Sequence, residues 1–202
     1  SDHKFKTQSD TEVLIALLNK FGLDILNELN GMFAFAYLNK KGEMYLVRDR
    51  FGVKPLYYSQ IDGIFYFASE IKPLINKKKN FSLDQKIIET YFSDTATDYN
   101  EKSGFEDIYQ IKPGHYKEIK KNKVLNQIKW YQKKKYLNKI LNKTNTVENF
   151  ENILLDSIKI RCRADVPIAL TLSGGLDSTL IYTLIKEKLN QNIKPFIFKH
   201  KN

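Results

Sequence analysis

Near the C-terminal end of the sequence, "TLSGGLDST" (171–179) sets two glycines and an aspartate between two serines, directly after an apolar run. A buried strand, a loop of small residues and the start of a helix make an anion site. The loop offers backbone N–H groups, and the first helical turn adds donors with no partner inside the helix. Gly174 and Gly175 let the backbone approach a phosphate closely and take positive φ, while Ser173 and Ser178 add hydroxyl donors. The loop is not of the Walker type, which closes on Gly-Lys-Ser/Thr with a lysine reaching the outer phosphates. Asp177 stands at the helix start instead, and a carboxylate beside a polyphosphate needs a cation between them. Asp177 is therefore the expected Mg²⁺ ligand. The plainer alternative is a tight strand–helix turn with Asp or Ser as its cap.

The flanking sequence supplies the elements such a loop needs. "VPIALTL" (166–172) is apolar nearly throughout, as expected of a strand inside a parallel sheet. The following segment places Leu180, Ile181, Leu184, Ile185 and Leu189 on one helical face, and "PFIFK" (195–199) reads as the next strand. An amphipathic helix carrying Val147, Phe150, Ile153, Leu154 and Ile158 precedes them. This is a β-loop-α-β unit of a doubly wound α/β sheet.

The first part has another character. Ser9 followed by Glu12 is a capping-box pattern before a helix with Val13, Leu14, Leu17, Leu18 and Phe21 at helical spacing, stopped by Gly22. "LDILNEL" predicts a second short helix. "GMFAFAYL" (31–38) then predicts a buried strand, "NKKG" a turn and "EMYLVRD" (43–49) the return strand. "PLYYSQ" and "IFYFAS" flank a hairpin turn, 84–92 reads as a helix, and "DIYQIKPGHYKEIKKNKV" alternates around Pro-Gly. This half is α+β with a largely antiparallel sheet. The Lys-, Asn- and Thr-rich stretch at 132–146 lacks periodicity, which divides the chain into 1–131, a linker at 132–146, and 147–202.

Composition narrows the field. Of 202 residues, 42% are hydrophobic and 13% aromatic, enough to build a core. No apolar run reaches the roughly 18 residues that span a bilayer, and no signal-peptide core is evident, so the expectation is a cytoplasmic protein without membrane contact. The charge is +10, but only four of the 33 basic residues are arginines and the lysines sit in short loop-like runs. That pattern is a solvated surface rather than a nucleic-acid footprint. The single cysteine, Cys162, excludes an intrachain disulfide and a Cys-rich zinc site. Its flanking arginines can lower a thiol pKa, but a small residue near a helix end is the simpler reading.

"SGGLDS" resembles the pyrophosphate loop of the ATP pyrophosphatases, and "RCRADVPIALTLSGGLDST" resembles the start of the synthetase domain of glutamine-hydrolysing asparagine synthetases. "SDTEV", "LNGMFAFAYLN", "VRDRFGVKPLYY", "FYFASEIKPLI" and "IKPGHY" are similar to that family's class II glutaminase domain, an N-terminal-nucleophile fold. The resemblance implies glutamine hydrolysis, an ammonia channel, and ATP-dependent amidation of aspartate through β-aspartyl-AMP with release of AMP and pyrophosphate. It implies ATP and Mg²⁺ as cofactors and aspartate and glutamine as substrates, and it allows a homodimer of the intact enzyme. Carried over by position, Leu172, Ser173, Gly174, Gly175, Asp177 and Ser178 are expected at ATP and its pyrophosphate. Phe198 belongs there too, although the family has a small residue and then Gly where this chain reads "FKHKN". Asp10 is expected to pair with the α-amino group of glutamine; its alternative is an ordinary helix-start aspartate. Met32 and Val53 are expected in the channel wall, or else as plain core, and Arg48, Asp49 and Arg50 as a structural ion-pair turn.

The family's N-terminal cysteine nucleophile and its Arg-Gly-Pro and Asn-Gly-Glu motifs are absent, and the synthetase sheet has barely begun at Asn202. The expectation is thus an internal fragment that does not turn over alone. Two other readings stand beside it: a related amidotransferase or β-lactam-synthetase-like enzyme with a different acceptor, and a non-catalytic product of a split or decayed gene.

Overall fold

The computed structural model describes residues 4–78, 80–94, 101–120, 123–132 and 146–198. It divides into two units, 1–133 and 134–202. The linker expected at 132–146 lies outside the described residues except at its ends.

The first unit opens with α1 (Asp10–Phe21). Ser9 caps it, its side chain accepting from the Thr11 N–H at 3.2 Å. The capping box does not close, however. Glu12 reaches further back and accepts from the backbone N–H groups of Lys6 (2.9 Å) and Thr7 (2.7 Å), while Ser9 N–H donates to the Thr7 hydroxyl. Glu12 thereby ties down the incoming chain instead of its own cap. Gly22 ends α1 at φ +62°, and the next turn, Gly22–Asn27, is a 3₁₀ helix rather than an α-helix.

Seven strands follow. β1 (Ala34–Leu38), β2 (Met44–Arg48), β6 (His115–Lys120) and β7 (Lys123–Lys129) form one antiparallel sheet in the order β1-β2-β6-β7. β3 (Tyr57–Ile61), β4 (Ile64–Ala68) and the two-residue β5 (Tyr109–Gln110) form the other, in the order β4-β3-β5. The β3–β4 hairpin turns on Asp62 (φ 51°) and Gly63 (φ 77°), the paired positive angles that fit the twist of a two-residue turn. α2 (Ile71–Ile75) rests against β3 and β4, and α3 is Gln85–Asp94. β1 is not the buried strand expected: it starts at Ala34 and is half-exposed, because an edge strand has one neighbour.

β2 is the buried one. Leu46 and Val47 are both fully buried and, being adjacent in a strand, face opposite ways. Leu46 packs with Leu56, Tyr58, Ile111 and Ile119, which joins the two sheets. Val47 packs with Leu26 of the 3₁₀ turn and Trp130. Trp130 is 8% exposed, lies 6.1 Å from Phe33 ring to ring, and donates its indole N–H to the Arg48 carbonyl at 3.2 Å. Lys117 is an unexpected core residue. Its ammonium lies 4.6 Å over the Tyr58 ring and 3.7 Å from Glu101, and burial pulls its pKa down. At the opposite extreme, hydrogen bonds from Asn39, Lys120 and Tyr45 hold the Glu43 carboxyl at about 2.

The second unit holds α4 (Thr146–Arg161), β8 (Ala169–Leu172), α5 (Leu176–Thr183), a π-helical turn (Leu184–Lys188) and β9 (Lys194–Ile197). β8 and β9 pair in parallel, Leu170 opposite Pro195 and Leu172 opposite Ile197. Ile158, Leu184, Ile185 and Ile193 form the core, with Leu154, Leu170, Ile181, Leu189 and half-buried Cys162 around it. Cys162 is thus a packing residue. Three expectations fail here. β8 is not buried on both faces: Leu170 and Leu172 are half-buried while Ala169 and Thr171 are exposed. A strand with one neighbour and helices packed on one side shows alternation, not continuous burial. On α4, Val147, Phe150 and Ile153 are exposed, and burial concentrates at Ile158. Leu180, expected on the buried face after the loop, is 42% exposed.

Candidate functional site

Two places carry the predicted site residues, one in each unit. In the first, a cavity of about 720 Å³ is lined by Asp10, Thr11 and the apolar face of α1, by Leu29–Phe35, and by Lys54, Pro55 and Ser69. Asp10 and Met32, 22 positions apart, thus meet at one cavity. Asp10 lies in the first turn of α1, where the helix dipole favours a negative charge. Lys54 belongs to the same lining, so residues of both charge signs border the cavity. Val53 is not in the lining; its neighbour Lys54 is. Met32 and Val53 are about half-exposed (51% and 53%), so neither is a plain core residue. Asn30, Gly31, Lys54 and Ser69 were not singled out from the sequence, because loop residues that line a cavity have no periodicity to betray them.

The loop after β2 is built differently from the ion-pair turn expected. Arg48 and Asp49 are 3% and 1% exposed, and among the described residues no ion pair joins them. Each is solvated by backbone. The Asp49 carboxylate accepts from the N–H groups of Phe51 (3.1 Å), Val53 (3.1 Å) and Lys54 (2.9 Å). The Arg48 guanidinium donates to the carbonyls of Gly52 (2.8 Å), Lys54 (2.9 Å) and Ile111 (2.7 Å) and to Gln110 Oε1 (3.2 Å). Arg50 lies apart, donating to the Asn27 carbonyl at 3.0 Å and sitting 5.4 Å over the Tyr131 ring.

In the second unit, Leu172 ends β8 and Ser173–Ser178 turn into α5. Gly174 takes φ +80°, which only glycine adopts without strain, and a Cβ on it meets nothing within 4 Å. Gly175 is the N-cap and offers no side chain, so the helix N-terminus has no side-chain cap. The two serines bond to each other instead. Ser178 Oγ donates to the Gly175 carbonyl (3.3 Å) and lies 3.2 Å from Ser173 Oγ, which accepts from the Gly175 N–H at 3.4 Å. These are long, weak bonds, and an anion with better geometry displaces them at small cost. Asp177 and Ser173 are exposed, Ser178 half-buried. Phe198 lies beyond β9 and is 82% exposed.

Mg²⁺ at this loop is implied by the Asp177 carboxylate at a phosphate-type loop and by the resemblance noted above. Among the described residues no three His, Cys, Asp or Glu side chains gather to hold a metal. A single exposed carboxylate beside two hydroxyls nevertheless fits Mg²⁺, which commonly takes one or two carboxylates and fills its shell with phosphate oxygens and water.

Residues 1–132 match the glutamine amidotransferase domain family, and residues 149–201 match asparagine synthase. The chain belongs to the glutamine amidotransferase domain family. It is 37% identical over 196 residues to a Methanocaldococcus jannaschii protein provisionally named glutamine-hydrolysing asparagine synthetase 2, covering 90% of this chain and 36% of the relative. It is 33% identical to glutamine-hydrolysing asparagine synthetase 2 of Bacillus subtilis (93% of this chain, 27% of the relative). It is 31% identical to amidase chyE of Penicillium rubens (96% and 29%). The chain therefore spans about a third of the length of these curated relatives. Among the described residues no helix is long and apolar enough to cross a membrane.

Proposed function

We propose that this chain carries the glutamine-binding side of a glutamine-dependent amidotransferase and the nucleotide-binding start of an ATP-dependent asparagine synthase. We propose the division 1–131 and 147–202, joined by 132–146. The observation that supports it best is the cavity that brings Asp10 and Met32 together, in a chain whose two parts match the two families in that order.

Asp10 pairs with the α-amino group of glutamine, as a carboxylate in a first helical turn can do without losing its favourable helix dipole. Ammonia released from the glutamine amide leaves along the Met32 side of the cavity, and Val53, on the loop that carries Lys54, is the next residue of its path. In the second unit, the β-carboxylate of aspartate attacks the α-phosphorus of ATP; the P–O bond to pyrophosphate breaks and β-aspartyl-AMP forms. Ammonia then attacks the acyl carbon and AMP leaves. Ser173, Gly174, Gly175 and Ser178 bind the pyrophosphate through hydroxyls and uncapped N–H groups, and Leu172 lies beside the adenosine. Phe198 is the least supported of the set. Asp177 would hold Mg²⁺, which would supply charge neutralisation at the phosphates.

A different acceptor is the second reading, supported by the likeness to amidase chyE. The test of the main reading is a pair of titrations on the full chain, with L-glutamine and with ATP plus Mg²⁺. Asp10→Asn should lose glutamine and keep nucleotide, and Asp177→Ala the reverse. Variants that lose both ligands or neither sink the assignment.

A further inference from the structure

We infer that Asp49, braced by Arg48, is a positioning residue that sets the wall of the Asp10 cavity without touching its contents. Neither side chain lines the cavity. Both act on the segments that do. The Asp49 backbone N–H donates to the Phe33 carbonyl at 2.9 Å, which fixes the strand start next to Met32. Its carboxylate holds the N–H groups of Val53 and Lys54 at 3.1 and 2.9 Å. The Lys54 peptide unit is thus gripped twice, its N–H by Asp49 and its carbonyl by Arg48 at 2.9 Å. One residue therefore links the Leu29–Phe35 wall to the Lys54–Pro55 wall.

The chemistry of the grip argues for positioning over simple loop closure. Burying a carboxylate and a guanidinium is costly, and no ion pair between them offsets it. A neutral turn closes the same loop more cheaply. What the charges add is six directed hydrogen bonds to backbone, five on residues 51–54 and one on Ile111, and a seventh to the Gln110 side chain, enough to hold exposed Val53 and Lys54 on a rigid backbone. Gly52, at φ +66°, is the point that lets Arg48 close on the loop: a Cβ there lies 2.7 Å from Pro113 Cγ and 3.0 Å from Arg48 Cζ.

The inference rests on reading this cavity as the glutamine site, and the experiment separates the two. Amide hydrogen exchange and the Met32 methyl resonance are followed in the labelled full chain, with and without L-glutamine. Asp49→Asn keeps one acceptor oxygen but turns an NH₂ towards the Lys54 N–H. It should speed exchange at Phe51, Val53 and Lys54 at least tenfold, displace the Met32 methyl signal, leave the β3–β4 hairpin protected, and weaken glutamine binding about tenfold. Arg48→Lys, which keeps the charge but not the planar fork, should give the same pattern more weakly, and it carries the test if Asp49→Asn does not fold. Uniform acceleration across the unit with an unmoved Met32 signal overturns positioning, as does a loosened loop with unchanged glutamine affinity. A wild-type chain that ignores glutamine, while the variants still loosen 51–54 and move Met32, overturns the glutamine reading and leaves the positioning role standing.

Discussion

Of the turns that leave a strand through a glycine at positive φ, two form a contrast: Gly52 after β2, at +66°, and Gly174 after β8, at +80°. Around Gly52 the buried charged side chains are spent on the turn itself. Asp49 and Arg48 bond to the loop backbone at Phe51, Gly52, Val53 and Lys54, and a side chain at 52 has no room. Around Gly174 the space is open, the helix N-terminus has no side-chain cap, and the serine hydroxyls meet each other at 3.2 Å. The same backbone device therefore serves opposite ends. A saturated turn is rigid and has nothing left for a ligand. An unsaturated turn has donors that only a ligand can use well.

The largest expected effect breaks the saturated turn. Gly52→Ala combines left-handed strain with overlap against Pro113 and Arg48, and should cost about 3 kcal/mol or more in urea unfolding of the first unit. A loss under about 1 kcal/mol would mean the loop yields, against the tight packing described. Next comes the function of the open turn. Asp177→Ala should leave stability within about 0.5 kcal/mol, since the residue is exposed, yet weaken ATP·Mg²⁺ binding tenfold or more by calorimetry. Equal affinity of the variant and the wild type would reduce Asp177 to a helix-start residue. Gly174→Ala is smaller: with no atom within 4 Å of the new Cβ, it should cost only the conformational strain of about 1–2 kcal/mol. If it equalled Gly52→Ala, the contrast between the turns would collapse.

The smallest effect is one of pH, at a site outside both turns. The folded state holds Glu43 at about 2, against an ordinary 4.5, through Asn39, Lys120 and Tyr45. A depressed carboxyl contributes stability above its unfolded value and loses it as pH falls through the folded one. Urea midpoints of the wild type should therefore fall more steeply between pH 4.5 and 2 than those of Glu43→Gln. Parallel curves would show that the contacts of Glu43 exert no net pull.

The turn at Gly174 is legible in the sequence for a physical reason, and the turn at Gly52 is not. Glycine, proline and short polar residues announce backbone geometry locally, so Gly174, Gly175, the Asp62-Gly63 hairpin and the Ser9 cap can be read without tertiary information. The partners of charged groups cannot. Arg48, Asp49 and Arg50 look like an ion-pair turn by adjacency, whereas Arg48 and Asp49 bond to backbone up to 63 positions away. Lys117 reads as a solvent-facing strand residue, and the Tyr58 ring and Glu101 that draw it inward are remote in sequence. β8 is less buried than its apolar sequence predicts because apolar content reports what a strand is able to cover, not how many neighbours it has. The cavity residues Asn30, Lys54 and Ser69 come from three separate segments, and only the assembled fold shows them together.

Trp130 gives the molecule an optical asymmetry. It is the only tryptophan in the chain, and it is buried in the first unit against Phe33 with its indole N–H on the Arg48 carbonyl. Its emission should be blue-shifted in the native state and move to the red when the packing around Arg48 and Val47 comes apart. Nothing in residues 134–202 contributes tryptophan fluorescence. Red-edge excited emission therefore follows the amidotransferase unit alone, while far-ultraviolet circular dichroism sums both units. The difference between the two signals along one denaturation curve isolates the melting of the SGGLDS half without any label.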